Sequence, residues 1–460
     1  MISRENAQIV LQKCLSTGGD FAEIFEEDVI SNSISILKNK VENALGGRSY
    51  GIGIRIFSGL KCVYAYTNDN SLNSLLDTAT KAALSLGELK ENKSIILNPA
   101  TKIDDIHTIS KYPNAVDYDK KILVMRDAYN SAKSYSDQIS EVSVSYADKD
   151  QKILITNSEG LYVEDRRIRT RLGINAIASN GAENQTGFEG PGALKGFELF
   201  ETVDPVYYGK EAARSAVTML NAKNCPAGKM MVAIDNGFGG VIFHEACGHS
   251  LEATSVAKGN SVFSGKLGSK IASSKVTAID DGTIKNSWGS INIDDEGNKS
   301  QKNVLIENGI LKSYMIDKLN GRRMKMEPTG NGRRQSYKFA PTSRMTNTYI
   351  HSGNDDRDDI IKSISDGLYA RKLGGGSVNP VTGEFNFAVA EGYLVKGGVI
   401  QEPVRGASLI GKGKDVLMDI DMVSKDVKQA QGMCGSSSGS IPVNVGQPMI
   451  RVKEMTVGGR

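Results

Sequence analysis

Histidine is scarce in this chain, with four in 460 residues, and tryptophan occurs once. Cysteine is also sparse: five residues, an odd number, widely scattered. That usage excludes a disulfide framework and fits reduced thiols. No stretch of 18 apolar residues occurs, which excludes a membrane-spanning helix. The opening residues, Met1-Ile2-Ser3-Arg4-Glu5-Asn6, lack the apolar core of a secretory signal, so a cytoplasmic protein is expected. Neither sign of charge dominates. Fifty-six basic residues against 53 acidic ones leave +3, too little for a nucleic-acid footprint. The pairs Arg322-Arg323 and Arg333-Arg334 are the local exceptions, expected as solvated surface, with a grip on a peptide's carbonyls or carboxylates as the alternative.

What is present is ordinary for a globular protein: 39% hydrophobic and 24% charged residues, in a chain too long for one core. The expected class is α+β. An N-terminal α/β domain over 1–222, which admits a split into two subdomains near 95–115, precedes a mainly β domain over 223–460 that carries a metal-binding helix. Helices are expected over 4–14, 71–86, 118–135 and from Asp204-Pro205 to Leu220. In the second, Leu72, Leu75, Leu76, Ala79, Ala83 and Leu86 form one stripe, with Gly87 as the stop. Phe21–Ile30 and Ser33–Leu37 read as strands, and a strand-turn-strand passes through Asn157-Ser158-Glu159-Gly160. Asn221–Gly228 reads as a linker. Strand alternation recurs at 141–146 and 384–389. Glycine-rich stretches at 373–377 and 411–414 read as turns.

The chemistry concentrates in His244-Glu245-Ala246-Cys247-Gly248-His249. Two imidazoles can hold a zinc ion, and an adjacent carboxylate can take a proton from the water it activates. The histidines stand at i and i+5. On a regular α-helix their rings point roughly 140° apart, at about 3.6 residues per turn. A local i→i+5 turn brings them together, and such π-bulges concentrate at functional sites. Gly248 lowers the steric cost of the distortion. A deformed turn is therefore expected over 245–249. It should lie on a helix from 241 to about 254, entered from a buried strand at 231–234 and a turn at 236–240. Three fixed positions in six residues also arise by chance on an amphipathic helix, so the motif needs a third ligand. His107, His351, the five cysteines and many carboxylates are candidates. Cys434 stands in a glycine-flanked loop, Gln431-Gly432-Met433-Cys434-Gly435, where a thiolate can approach a metal. Cys247 is its rival. Glu252, three residues after His249, is placed to orient that imidazole through its other nitrogen.

These residues resemble the TldD/PmbA family of zinc metalloproteases. His244-Glu245-x-x-Gly248-His249 followed by Leu251-Glu252 is similar to the family's H-E-x-x-x-H helix. The segments Asn331-Gly332-Arg333-Arg334-Gln335-Ser336-Tyr337 and Arg344-Met345-Thr346-Asn347-Thr348 resemble its central block. Gly432-Met433-Cys434-Gly435, Val443-x-Val445-Gly446-Gln447-Pro448 and Thr456-Val457-Gly458-Gly459 resemble its C-terminal one. The resemblance implies zinc on His244, His249 and Cys434, with Glu245 as general base. It also implies a homodimer, or a heterodimer with a metal-free PmbA-like homologue; this chain is similar to the motif-bearing TldD-like branch. Ala253-Thr254 stand where some members have Gly-Asp, so no role of that aspartate carries over.

The expected activity is hydrolysis of unfolded or extended peptides. Residues 344–348 are the expected exposed edge, with Arg344, Met345, Thr346 and Asn347 contacting peptide by strand addition. Two alternatives stand beside it: a non-catalytic peptide-binding subunit of a protease pair, and a zinc amidase acting on a small substrate.

Overall fold

The computed structural model describes residues 1–87, 95–379 and 382–459. The N-terminal half is built on one long antiparallel sheet. Its strand order is 61–67, 40–58, 21–37, 139–157, 162–179, 184–189, with the two residues 192–193 also on 162–179. Phe21–Leu37 is a single strand, not two. The polar stretch that suggested a break is paired on both sides: Asn32 stands opposite Gly46 and Asp148, and its Nδ2 donates to Asp148 Oδ1 at 2.7 Å.

Four helices cover this sheet, close to where they were expected: Arg4–Cys14, Leu72–Leu84, Tyr118–Lys133 and Pro205–Leu220. Three begin on side-chain caps. Ser3 accepts from Asn6 N, Ser71 from Ser74 N and Asp204 from Val206 N. Alternation along 21–37 sorts the two faces. Ala22, Ile24, Ile34 and Ile36 point to the helices, while Phe25 packs with Ile293 and Tyr337 from the second half of the chain.

The C-terminal half is mainly strand. One sheet runs in the order 310–311, 302–307, 278–281, 347–350, 439–447, 428–436. In the other, 366–378, 228–234, 450–458, 408–412 and 384–396 pair in turn. The last pairs back with the first, so the five close into a ring. The expected linker contributes a strand here: Lys223–Asn224 pairs with Val404-Arg405. The glycine-rich stretch 373–377 is likewise strand rather than turn, within Asp366–Val378. Gly411-Lys412 end a strand, and Gly413 begins the helix Gly413–Asp419.

Arg333 and Arg334 are not surface cations; they are 3% and 4% exposed. Arg334 pairs with Glu23 at 2.6 Å, and Glu23 pairs also with Arg55 at 2.7 Å. These charges join the first sheet to the second half. Among the described residues no helix is long and apolar enough to cross a membrane.

Candidate metal centre

The segment that carries both histidines is irregular. Val241–Phe243 is one helical turn, His244–Gly248 is a π turn, and His249–Leu251 is a 3-10 turn. Glu252 is extended, and Ala253–Val256 resumes the helix. The deformed turn is where the i, i+5 spacing required it; the continuous helix to 254 is not formed. Val241, Ile242, Phe243, Ala246, Cys247 and Leu251 anchor the segment in the main C-terminal core.

Gly248 has an ordinary right-handed conformation, φ −55°. Its role is therefore not backbone freedom. A Cβ there would lie 2.4 Å from Met345 Sδ, so only glycine lets the turn approach that side chain.

Cys434 lies in a strand, not a loop. Lys428–Ser436 pairs antiparallel with Gly439–Gln447, placing Cys434 opposite Ile441. The strand brings Cys434 Sγ to 3.3 Å from His244 Nε2 and 3.3 Å from His249 Nε2. All three donor atoms lie within 4.8 Å of one another. A tetrahedral zinc with bonds of about 2.0–2.1 Å to nitrogen and 2.3 Å to sulfur separates N and S by about 3.5 Å, so this donor set fits. The rings stand at 84° to each other, and both turn Nε2 towards the sulfur.

The electrostatics agree. Burial works to raise the Cys434 thiol, but hydrogen bonding and charge from His244 and His249 override it and bring it down to about 4. Cys247 has burial alone, which pushes its thiol up. It packs in the core and is not part of the cluster. Burial acts to lower the His249 imidazolium, and Glu252 and Cys434 reverse that, holding it well above its usual value.

Glu252 Oε2 is 3.1 Å from His249 Nδ1. Glu245 Oε2 lies 3.7 Å from His249 Nε2, with its side chain 30% exposed. It is thus beside the donors yet open to solvent. His107 and His351 stand elsewhere: His107 Nδ1 accepts from Asn286 N, and the His351 ring lies against Tyr349.

Residues 344–348 form no exposed edge. Asn347–Ile350 is an internal strand between 278–281 and 439–447. Arg344 is fully buried; its Nη2 donates to the Cys434 carbonyl and its Nη1 to Gly439 O at 2.9 Å. Met345 packs on Gly248. Thr346 N and Oγ1 donate to the two oxygens of Asp280 at 2.7 and 2.9 Å. Asn347 bonds the Asp281 carbonyl, Ser290 Oγ and Gly289 N. The four residues brace the centre from behind. Asp280 and Asn331 complete the brace, since Asn331 Nδ2 donates to Asp280 Oδ2 and the Arg344 carbonyl. No spacing in the sequence marks them. Thr254, at the position of the departed aspartate, accepts from Ser343 N at 3.1 Å.

Fold and donor set together define the class: an α+β protein whose mainly β C-terminal region holds a His-His-Cys cluster beside an accessible glutamate. Three family models match along the chain: PmbA/TldA metallopeptidase domain 1 at 22–83, the central domain at 111–220 and the C-terminal domain at 227–459. The "Metalloprotease TldD homolog" of Haemophilus influenzae is 39% identical, covering 89% of this chain and 86% of its own length. That of Buchnera aphidicola is 36% identical, covering 100% and 96%. A crystal structure from Thermotoga maritima shares the fold, with TM-score 0.81 at 21% identity and 99% coverage of both chains. The chain belongs to the TldD/PmbA metallopeptidase family.

Proposed function

We propose that this protein is a zinc metallopeptidase that hydrolyses peptide bonds in unfolded or extended peptides. One observation carries the reading: two imidazole nitrogens and a low-pKa thiol converge within 4.8 Å, with Glu245 beside them and open to solvent. His244, His249 and Cys434 would hold the metal. Bound there, zinc supplies a Lewis acid for the peptide carbonyl and acidifies a water molecule.

The chain's own residues do the rest. Glu245 accepts the proton of the attacking water at its carboxylate and returns it to the leaving amine. Glu252 accepts from His249 Nδ1, which fixes the tautomer that leaves a lone pair on Nε2. Arg344 holds the Cys434 carbonyl and so fixes the main chain that presents the sulfur. The burial of His244 and Cys434 keeps bulk water off the donors.

The test combines metal analysis with mass spectrometry of digests of unstructured peptides. The purified chain should contain zinc, cleave the peptides, and stop when a chelator is added. Glu245→Gln should keep the zinc and lose cleavage. Cleavage that survives either treatment overturns the reading.

A further inference from the structure

A cavity of about 550 Å³ lies between the N-terminal sheet and the strand pair that carries Cys434. Met433 and Ile441 are in its wall. Met433 precedes Cys434, and Ile441 is the cross-strand neighbour of Cys434. Successive side chains on a strand face opposite sides, so the cavity adjoins the strand pair that presents Cys434 without including the cluster itself.

Its walls carry five cations and two carboxylates. Both carboxylates are already engaged. Asp295 Oδ1 lies 2.6 Å from Arg167 Nη1, and Asp148 Oδ2 lies 2.8 Å from Lys121 Nζ. Arg334 has Glu23. Lys149, Arg169 and Arg333 remain, and none of these forms an ion pair among the described residues.

Arg169 and Arg333 are held in place without being neutralised. Arg169 Nε and Nη2 each donate at 2.8 Å to the carbonyls of Trp288 and Ser290. Arg333 donates to the carbonyls of Met345 and Pro442. Carbonyls orient a guanidinium without pairing its charge; Asp295, Asp165 and Asp280 offset part of that charge from farther off, and the remainder is costly in a buried site. The cost shows in their protonation. Burial, then the charge of nearby arginines, lowers Arg169; Arg333 falls to about 10, with burial again the largest cause. Burial also lowers Lys149. Three cations without a direct ion pair, in a cavity wall that holds more cations than carboxylates, can take an anion.

We infer that this cavity is a carboxylate subsite, in which Lys149, Arg169 and Arg333 take an acidic group of the peptide substrate. The inference rests on the metallopeptidase reading and names its substrate class: peptides carrying a carboxylate near the bond to be cut. The group is either the C-terminal carboxylate or an Asp or Glu side chain, since both present the same planar anion to guanidinium donors. Trp288 and Met433 supply apolar wall for the residue that bears it.

The test is a binding measurement on the metal-loaded full-length chain, read by fluorescence anisotropy of labelled peptides. One pair of peptides differs only in a free-acid or amidated C-terminus. A second pair, amidated throughout, differs in one internal Glu or Gln. In at least one pair the acid should bind about tenfold tighter, the factor carried by one charge-assisted hydrogen bond. Which pair shows it identifies the source of the carboxylate. Lys149→Gln and, separately, Arg169→Gln should shrink that ratio severalfold. Lys152→Gln, which removes an exposed cation outside the cavity wall, should leave it intact. Equal affinities in both pairs overturn the subsite, as does a ratio that survives both cavity substitutions or falls equally with Lys152→Gln. Cleavage without carboxylate preference sinks the subsite and spares the peptidase reading. Carboxylate preference without cleavage does the reverse.

Discussion

Arg344, buried completely, donates to the main-chain carbonyl of Cys434 and lies with Nε 4.0 Å from Glu252 Oε1. One guanidinium therefore touches the strand that presents the sulfur and faces the carboxylate that orients His249. Replacing it with methionine strips the carbonyls of Cys434 and Gly439 of a charged donor and removes the cation near Glu252. Arg344→Met should cost about 3–5 kcal/mol in urea unfolding, the usual loss when one side of a buried charged arrangement is removed. A variant as stable as its parent would show that the brace is incidental.

Glu252 allows a gentler cut. Glu252→Gln keeps the shape and deletes the charge at 3.1 Å from His249 Nδ1. Metal affinity should fall about 10–100-fold, the usual effect of losing a carboxylate behind a metal-ligating histidine. Competition against a chromophoric chelator measures it, and a matching melting temperature confirms that the fold is kept. Unchanged affinity would reduce Glu252 to a structural residue.

The two cysteines separate cleanly. Cys434→Ser removes the sulfur donor and should abolish zinc retention through gel filtration. Cys247→Ser should retain the metal, because that thiol belongs to the core. It should instead lose about 1–3 kcal/mol of stability, from burying a hydroxyl without a partner. The opposite pattern would exchange their roles.

Acid stability should depend on Glu391. Burial acts to raise this carboxyl, but hydrogen bonds from Arg214 and Tyr393 and the charges of Arg214 and Arg371 hold it down at about 2. Its folded value is below the unfolded value of about 4.3. The stability it contributes is thus present above pH 4.3 and is lost as pH falls from there towards 2. Arg214 lies on the helix 205–220 and Glu391 on the strand 384–396, so the loss falls on the contact between the halves. Unfolding free energy measured from pH 6 to pH 3 should drop less steeply in Glu391→Gln than in the parent. Parallel curves would refute the assignment.

Much of this was legible in the sequence, and for definite reasons. The helix 72–84 announces itself through its apolar stripe. The π turn follows from two histidines at i and i+5 that must face one point. What was hidden depends on contacts far along the chain. Asn32 looks like a strand break until Gly46 and Asp148 are seen beside it. Arg333-Arg334 looks solvated because Glu23, more than 300 residues earlier in the chain, is not a neighbour in sequence. Arg344-Met345-Thr346-Asn347 reads as a peptide-binding edge, since nothing local shows that Asp280 and the Cys434 carbonyl already occupy its polar groups.

The contact of Gly248 with Met345 gives the sharpest test of the turn. A Cβ at 248 would sit 2.4 Å from Met345 Sδ, and Met345 has no exposed surface to retreat into. Gly248→Ala should therefore destabilise by about 1–3 kcal/mol through overpacking and displace His249, weakening metal binding. Met345→Ala alone should cost about 2–5 kcal/mol through the cavity it leaves. In the double variant the new methyl fills part of that cavity. Its loss should be smaller than the sum of the two single losses, a coupling of about 0.5–3 kcal/mol between contacting side chains. If the losses simply add, the glycine is not there for Met345, and the π turn must be explained by the two histidines alone.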